Sequence, residues 1–195
     1  PDDLRLLQLQ GLLWSRMQNL EKALGVLEPL YQRFRDDAET AGILAGTYKR
    51  SWQADPGRRD RLSKAHQAYA HGWEASKRTS AYLGINVAAT ALWLGRESEA
   101  RTRAGEVRAL LDKRREAMKA AAALNFWDLA TLAEARLMSG EIDLGLRTYG
   151  EAFGMDPAAA GKHKVSRKQA EEILGAMGFS DVARSRFWVR ARGGG

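Results

Sequence analysis

Residues 82–95, YLGINVAATALWLG, form the stretch that most restricts the possible folds, because none of them is charged. Gly84, Asn86 and Thr90 interrupt the stretch, which makes it too short and too broken to span a membrane. Apolar and polar residues do not alternate along it, so a half-buried strand is excluded. Its alanine, leucine and tryptophan residues recur at helical spacing. The stretch therefore predicts a helix that is buried on nearly all sides.

A glycine ends this predicted helix, and an amphipathic run follows it directly. Gly95 can adopt the left-handed backbone conformation that terminates many helices, which only glycine reaches at low cost. Residues 97–111 then carry charged and apolar residues on different faces. We therefore predict a tight helical hairpin with Gly95 at its corner.

Similar hairpins recur along the chain. Two helices per unit, with a small residue where they cross and an aromatic residue one turn later, are the pattern of tetratricopeptide repeats. Glycine or alanine at a helix crossing lets two backbones approach, and large side chains fill the surrounding gaps. The predicted first helices are 3–17, 37–52, 82–95 and 125–139. The small residues predicted in the second helices are Ala23, Ala65, Ala100 and Gly145.

Some connections and helix ends are predicted to differ from those of a regular repeat. We expect Asn19 to cap the second helix, a long polar turn at 53–60, and an extension or extra helix at 112–123. After a loop at 158–164, Ser166 and Gln169 have the spacing of a capping box for a helix at 167–177. A last helix is expected at 180–190.

These elements predict an all-α fold, a tetratricopeptide-like right-handed superhelix of about four helical hairpins with C-terminal capping helices. The predicted organisation is repeats at 1–157, capping helices at 158–192 with Trp188 covering the last repeat, and a flexible end at 193–195. The 45% apolar fraction and only four prolines are consistent with a packed helical chain.

Composition limits the chemistry that the chain can perform. The 195 residues include no cysteine, which excludes disulfides, thiolate zinc sites and a cysteine nucleophile, and suits a reducing, cytoplasmic compartment. We expect the three histidines to be solvated and to bind no metal, since His66 and His71 are five residues apart and do not share a helix face. No catalytic motif is present, so we predict neither enzymatic activity nor a cofactor.

A set of basic, polar and aromatic residues is predicted to line the concave side formed by the first helices. Cations beside tyrosine and tryptophan rings can hold a phosphate or carboxylate next to a planar group. The alternative is that the rings serve ordinary packing between repeats and that Asn86 bonds locally. The predicted lining comprises Arg5, Gln8, Arg16, Lys49, Arg50, Tyr82, Asn86, Trp93, Trp127 and Glu134; all of these from Lys49 onwards are our candidate site residues.

The net charge of +7 permits several classes of partner and selects none of them. The leading hypothesis is a binding module that takes an anionic, nucleotide-like ligand or an acidic partner segment. One alternative is a structural scaffold or oligomerisation domain that uses the outer helix faces. Another is nucleic-acid binding through the basic C-terminal helices. Their basic residues are Lys162, Lys164, Arg167, Lys168, Arg184, Arg186, Arg190 and Arg192.

Seven short segments resemble a known family. They are ET at 39–40, AGTYK at 45–49, AY at 68–69, GWE at 72–74, YLGIN at 82–86, LG at 94–95 and FWD at 126–128. Residues 37–157 resemble the TRAF-binding, tetratricopeptide-like region in the centre of the apoptosis signal-regulating kinases, and resemble its bacterial relatives more closely. The YLGIN segment is the most specific of the seven.

The resemblance implies an all-helical regulatory scaffold that binds partners. For the bacterial relatives it implies a place in multidomain signalling or conflict systems with a ligand-sensing role. No kinase signature is present in this chain, so the resemblance implies no catalysis. Because the chain begins at Pro1, is rich in arginine and alanine and has no signal-peptide pattern, we expect a piece of a longer bacterial protein that does not bind membranes.

Overall fold

The computed structural model describes residues 3–117 and 124–192, and within these ranges it contains ten helices and no strand. The all-α prediction is therefore confirmed. The helices are α1 (Leu4–Arg16), α2 (Leu20–Arg33), α3 (Ala38–Ala54), α4 (Arg59–Ala75), α5 (Ala81–Trp93), α6 (Glu97–Ala117), α7 (Phe126–Met138), α8 (Ile142–Met155), α9 (Ala160–Ala176) and α10 (Asp181–Arg192).

Glycine corners connect two of the four predicted hairpins. Gly95, between α5 and α6, has φ +80°, and Gly140, between α7 and α8, has φ +84°. Both lie in the left-handed region, which glycine adopts at lower cost than residues with a side chain. The amide N–H of the residue after each glycine bonds a carbonyl of the finished helix, Arg96 to Ala91 and Glu141 to Arg136, both at 2.9 Å. The predicted corners are confirmed.

The chain divides into two compact units, Pro1–Thr90 and Ala91–Gly195, which we call unit 1 and unit 2. Unit 1 holds α1 to α4 and most of α5, and unit 2 holds the remaining helices. The predicted flexible end at 193–195 lies outside the described residues, as does the part of the predicted extension at 118–123. Residues 112–117 continue α6, as one of the two alternatives proposed.

The core of unit 1 is built where small residues meet large ones. Ala23, Leu27 and Ala65 are completely buried, and Tyr48 is nearly so. Trp14 packs against this cluster from its edge. Buried alanines let the helices approach closely, while leucine and aromatic side chains fill the remaining space. The small residues predicted at the crossings therefore lie in the core.

Unit 2 uses the same kind of contact, and α10 packs onto it. Gly145 of α8 faces Leu137 of α7 so closely that an added Cβ would lie 2.7 Å from the leucine Cδ2. Trp188 of α10 is buried, with its ring centroid 5.4 Å from that of Tyr149 and 6.0 Å from that of Phe153. Trp188 thus covers the aromatic face of α8.

Several predicted connections and helix caps differ from those in the structure. The long turn predicted at 53–60 is only four residues, because Asp55 closes it by accepting the amides of Gly57 on its side chain and Arg58 on its carbonyl. Asn19 precedes α2 but makes no side-chain cap bond. The predicted loop at 158–164 is wrong from residue 160 onwards, since α9 begins there.

The predicted capping box at Ser166 is also wrong. Ser166 lies inside α9 and is buried together with Ala170, Ile173 and Leu174. These residues recur at helical spacing on one face, so burial of that stripe favours a helix that continues towards the N-terminus past the serine. Ser166 faces the core instead of capping a helix.

The prediction that the histidines are solvated fails for His66. Its ring is buried, and Nδ1 lies 3.0 Å from Oγ1 of Thr90. His163 is placed in α9, where its ring stacks on Phe126 with centroids 5.7 Å apart and lies tilted against Phe153 at 4.5 Å. Helix formation around each of these positions brings the imidazole against the neighbouring helix.

Within the described ranges, no helix combines the length and apolarity that crossing a membrane would take.

Candidate functional site

A groove of about 390 Å³ lies on the first-helix side of unit 1. Helices α1, α3 and α5 supply its walls, so it occupies the side on which the sequence predicted a binding surface. Its lining comprises Leu12, Ala38, Glu39, Gly42, Ile43, Gly46, Arg50, Ser80, Tyr82 and Leu83. Two of the candidate site residues, Arg50 and Tyr82, therefore line one cavity.

Arg50 brings a positive charge into this groove. Its side chain is half-buried, and NH1 donates a 2.9 Å hydrogen bond to Oγ of Ser15. Ser15 also accepts a bond from the Thr47 hydroxyl at 3.0 Å, so the serine is held in place. Across 3–117 and 124–192 no carboxylate lies within 4.0 Å of the Arg50 guanidinium. The charge is thus positioned by a neutral partner and stays available to an anion.

Tyr82 supplies an aromatic surface beside Arg50. It is 54% exposed, while its hydroxyl lies 3.3 Å from that of Tyr69 and the two rings meet edge to face at 6.1 Å. Burial, reinforced by Tyr82, raises the pKa of Tyr69 well above its usual value. The Tyr69 hydroxyl therefore stays protonated and can anchor the exposed ring of Tyr82.

Two glycines of α3 keep the floor of the groove open. A Cβ on Gly42 would meet Leu83 Cδ2 at 3.0 Å, and a Cβ on Gly46 would lie 3.5 Å from NH1 of Arg50 and 3.6 Å from the Tyr82 hydroxyl. Neither glycine was predicted as a site residue. The available signal was glycine at positions i and i+4 of a predicted first helix, since two glycines on one face place no side chain there.

A hydrogen bond between Lys49 and Asn86 links α3 to α5. Lys49 Nζ donates to Asn86 Oδ1 at 2.7 Å, and Asn86 Nδ2 donates to the Tyr82 carbonyl at 2.8 Å. Asn86 is only 2% exposed. The amide of Asn86 thus bonds locally, as the packing alternative expected, and it positions Lys49 next to the turn of α5 that carries Tyr82.

The remaining predicted residues of α1 lie at or beyond the rim of the groove. Arg5 forms an ion pair with Glu39, which neutralises the one carboxylate of the groove lining. Gln8 is buried and donates to Asp37 Oδ1 at 2.7 Å and Thr40 Oγ1 at 2.9 Å, which fixes α1 against α3. Arg16 is exposed and does not line the groove.

Trp93, Trp127 and Glu134 belong to unit 2, whereas the groove consists of unit 1 residues. Trp93 Nε1 donates to the Glu172 carbonyl at 3.4 Å. Trp127 is 48% exposed and meets Phe126 edge to face at 5.1 Å. Trp93 is thus half-buried against α9, whereas about half of Trp127 is exposed on the surface of unit 2.

Glu134 is a buried carboxylate that joins three helices of unit 2. It accepts hydrogen bonds from Gln169 Nε2 at 2.7 Å and from the Tyr149 hydroxyl at 3.5 Å. Burial, followed by the nearby Glu134 charge, raises the pKa of Tyr149 well above its usual value, which keeps the phenol protonated as a donor. The geometry is that of a packing network between α7, α8 and α9.

Metal binding finds no support in the part of the chain that the structure describes, since no group of three or more His, Asp or Glu side chains is assembled there. Three cations of the C-terminal helices have contacts within unit 2. Lys162 pairs with Asp156 at 2.9 Å and Arg184 pairs with Asp181. Arg167 lies over the Phe153 and Trp188 rings, 5.5 and 5.2 Å from their centroids.

Comparisons with known proteins support the same type of domain. A family model described as "Tetratricopeptide Repeats-Sensor" matches residues 1–92, a range that nearly coincides with unit 1. Among solved structures, a thermophilic TPR protein in Thermus thermophilus is similar, with a TM-score of 0.63. It shares 19% identity, and the match covers 89% of this chain and 83% of the other. That level of identity supports the fold alone. No curated protein matches this chain significantly.

The tetratricopeptide-like fold predicted from the sequence is therefore confirmed. Domains of this type are generally non-catalytic binding modules. The chain therefore contains a tetratricopeptide-like domain, and residues 1–92 match a family model of the sensor type.

Proposed function

We propose that unit 1 senses a small ligand in which an anionic group is joined to a planar ring, as in a nucleotide. One observation carries the proposal. The guanidinium of Arg50 lies without a carboxylate partner in the same groove as the exposed ring of Tyr82, over a floor opened by Gly42 and Gly46. The groove therefore combines charge, an aromatic face and accessible space.

The chemistry of these groups suits such a ligand. A guanidinium offers several N–H donors in one plane and can grip an oxyanion through two parallel bonds. NH1 of Arg50 donates one hydrogen bond to Ser15, so the other N–H groups of the guanidinium can bind a phosphate. The Tyr82 ring can stack a base, a contact worth roughly 1–3 kcal/mol in single-stranded nucleic acids. A planar ligand would lie along the glycine floor.

The wider context supports a sensing role within a larger signalling protein. The sensor-type family match covers the unit that contains the groove. The resemblance to bacterial relatives of the kinase regulatory region implies the same kind of setting. An acidic segment of a partner protein is the second candidate for the groove, since Arg50 would bind a carboxylate equally well. Such a segment would not require the Tyr82 ring.

Titration calorimetry of the protein with adenine and guanine nucleotides, and separately with a glutamate-rich peptide, tests the proposal. We expect Arg50→Gln to weaken nucleotide binding about tenfold or more, because one charge-assisted contact is lost. Tyr82→Ala should also weaken nucleotide binding, because the stacking contact with the base is lost, but it should leave peptide binding unchanged. Arg59→Gln is the matched control, since Arg59 is exposed on α4 and lies outside the groove.

The outcomes separate the candidates. Peptide binding that needs Arg50 but not Tyr82 would replace the nucleotide by an acidic partner. Equal affinities of wild type and Arg50→Gln for every probe would show that the binding site does not lie in the groove. Thermal unfolding of each variant shows whether the fold is intact, and we expect only a small loss because Arg50 makes a single hydrogen bond to Ser15.

Gly46→Ala gives a second test in which stability and binding should move in opposite directions. Its Cβ would make ordinary contacts of 3.4–3.6 Å, so the fold should accept it. Alanine in a helix interior is favoured over glycine by about 0.5–1 kcal/mol. We therefore expect an unchanged or raised melting temperature together with weaker nucleotide binding, because the methyl group occupies the floor beside Arg50. A tighter complex would contradict this placement of the ligand.

A further inference from the structure

A second cavity, of about 550 Å³, lies on the second-helix side of unit 1. Its walls are the second helices of the first two hairpins, α2 and α4, together with the residues that follow α2, and α3 contributes Leu44 and Tyr48. None of its lining residues belongs to the groove described above. The polar residues around it are Glu28, Tyr31, Gln32, Arg35, Tyr48, Lys64, Gln67 and His71.

The one carboxylate in this lining already has a donor. The Tyr48 hydroxyl donates a short hydrogen bond to Glu28 Oε1. Burial, and then this contact with Glu28, raises the pKa of Tyr48 well above its usual value. The phenol therefore remains a donor at neutral pH, and Glu28 is held at the Tyr48 side of the cavity.

His71 is held by a tyrosine in the same way. Its Nδ1 lies 2.9 Å from the Tyr31 hydroxyl, and the two rings meet edge to face at 5.6 Å. With the Tyr31 hydroxyl assigned as the donor to Nδ1, the imidazole N–H lies on Nε2. That nitrogen has no partner in the described part of the chain. His71 thus offers an N–H in the cavity lining.

Two cations complete the lining without a carboxylate partner in the described part of the chain. Arg35 lies over the Tyr31 ring, 5.2 Å from its centroid, and Lys64 lies over the Tyr48 ring at 5.5 Å. A ring face orients a cation without neutralising it. Arg61, which also lies over Tyr48, differs because it pairs with Glu21 at 3.4 Å and Asp60 at 3.8 Å.

We propose that this cavity binds the phosphate group of a small molecule. Arg35 can hold two phosphate oxygens through its planar fork, Lys64 adds a point charge, and His71 donates through Nε2. Three donors from α4 and the end of α2 suit a tetrahedral anion with several acceptor oxygens better than a planar carboxylate. The cavity exceeds the size of inorganic phosphate, so the ligand carries an organic part beside the glutamine side chains. The site is independent of the nucleotide groove.

Calorimetric titrations with inorganic phosphate and with glucose 6-phosphate test this site in the intact chain. We expect saturable binding that is tighter for the sugar phosphate, and a loss of about tenfold for each cation removed in Arg35→Gln/Lys64→Gln. The matched control is Arg16→Gln/Arg59→Gln, which removes the same charge from exposed positions of unit 1 outside the cavity. Circular dichroism verifies that both double variants are folded.

Side-chain nuclear magnetic resonance of the histidines locates the ligand. Addition of glucose 6-phosphate should shift the imidazole signals of His71 and leave those of His66 and His163 in place. An equal loss of affinity in the two double variants would show that binding depends only on non-specific charge, and it would overturn the proposal. A loss in Arg50→Gln with none in Arg35→Gln/Lys64→Gln would assign the binding to the groove instead. Absence of saturable binding by both probes would also overturn it.

Discussion

Replacing Trp73 by alanine is expected to lower the free energy of unfolding of unit 1 by about 3–5 kcal/mol. Trp73 lies on α4, is 2% exposed, and is the largest fully buried side chain in the described residues. Removing it deletes apolar surface from the core and leaves a cavity that close-packed neighbours can fill only in part. Urea unfolding followed by circular dichroism measures the change.

Two further variants make the Trp73 prediction specific. Trp127→Ala, at a half-exposed tryptophan of unit 2, should cost about 1 kcal/mol or less, because mainly a ring edge contact with Phe126 is lost. Trp73→Phe should cost less than Trp73→Ala, since it keeps most of the ring and also removes a buried indole N–H that has no acceptor among the described residues. A larger loss at Trp127 than at Trp73 would contradict the burial that the structure assigns to them.

Gly11→Ala is expected to destabilise unit 1 by about 1–3 kcal/mol, although alanine is the better helix former. Its Cβ would lie 2.5 Å from both Cγ and Cδ2 of Leu27. Leu27 is completely buried, so it cannot turn away without displacing its own neighbours. The crossing of α1 and α2 would have to open, and the free energy of unfolding reports that cost.

Gly25→Ala provides the opposite expectation on the partner helix. Gly25 is exposed in α2, and no heavy atom lies within 4 Å of its added Cβ. The substitution should therefore stabilise unit 1 by about 0.5–1 kcal/mol through backbone entropy. If both alanine variants were stabilising, close approach at Gly11 would be wrong, and with it the reason given for a small residue at that crossing.

Much of the fold was predictable because periodicity and glycine placement act locally. The uncharged stretch around Asn86 had to be a buried helix, and Gly95 and Gly140 had to end their helices. The errors occurred where tertiary burial overrode a local signal. Ser166 has a capping-box neighbour but lies within a buried stripe, and the Asn19 side chain makes no cap hydrogen bond to α2.

The candidate site was predictable in its charge and less so in its shape. Helical register placed Arg50 and Tyr82 on the first-helix side, and both line the groove. Helical register alone cannot show whether a side-chain amide bonds a nearby backbone carbonyl. The role of Asn86 therefore stayed open between ligand binding and a local hydrogen bond. Nor can register show that Glu134 is enclosed by Tyr149 and Gln169, because that network needs α9 in contact with α7.

The helical class, the hairpin corners and the side of each first helix that carries basic and aromatic residues follow from local sequence patterns. These properties depend on spacing within one helix or one turn, where covalent connectivity sets the geometry. Which charged side chains have a carboxylate partner depends instead on the packing of helices that are distant in the chain. Arg5 meets Glu39 and Arg61 meets Glu21, while Arg50 and Arg35 meet none among the described residues. Partners of this kind lie 34 and 40 residues apart in the chain, and their pairing depends on how the helices pack.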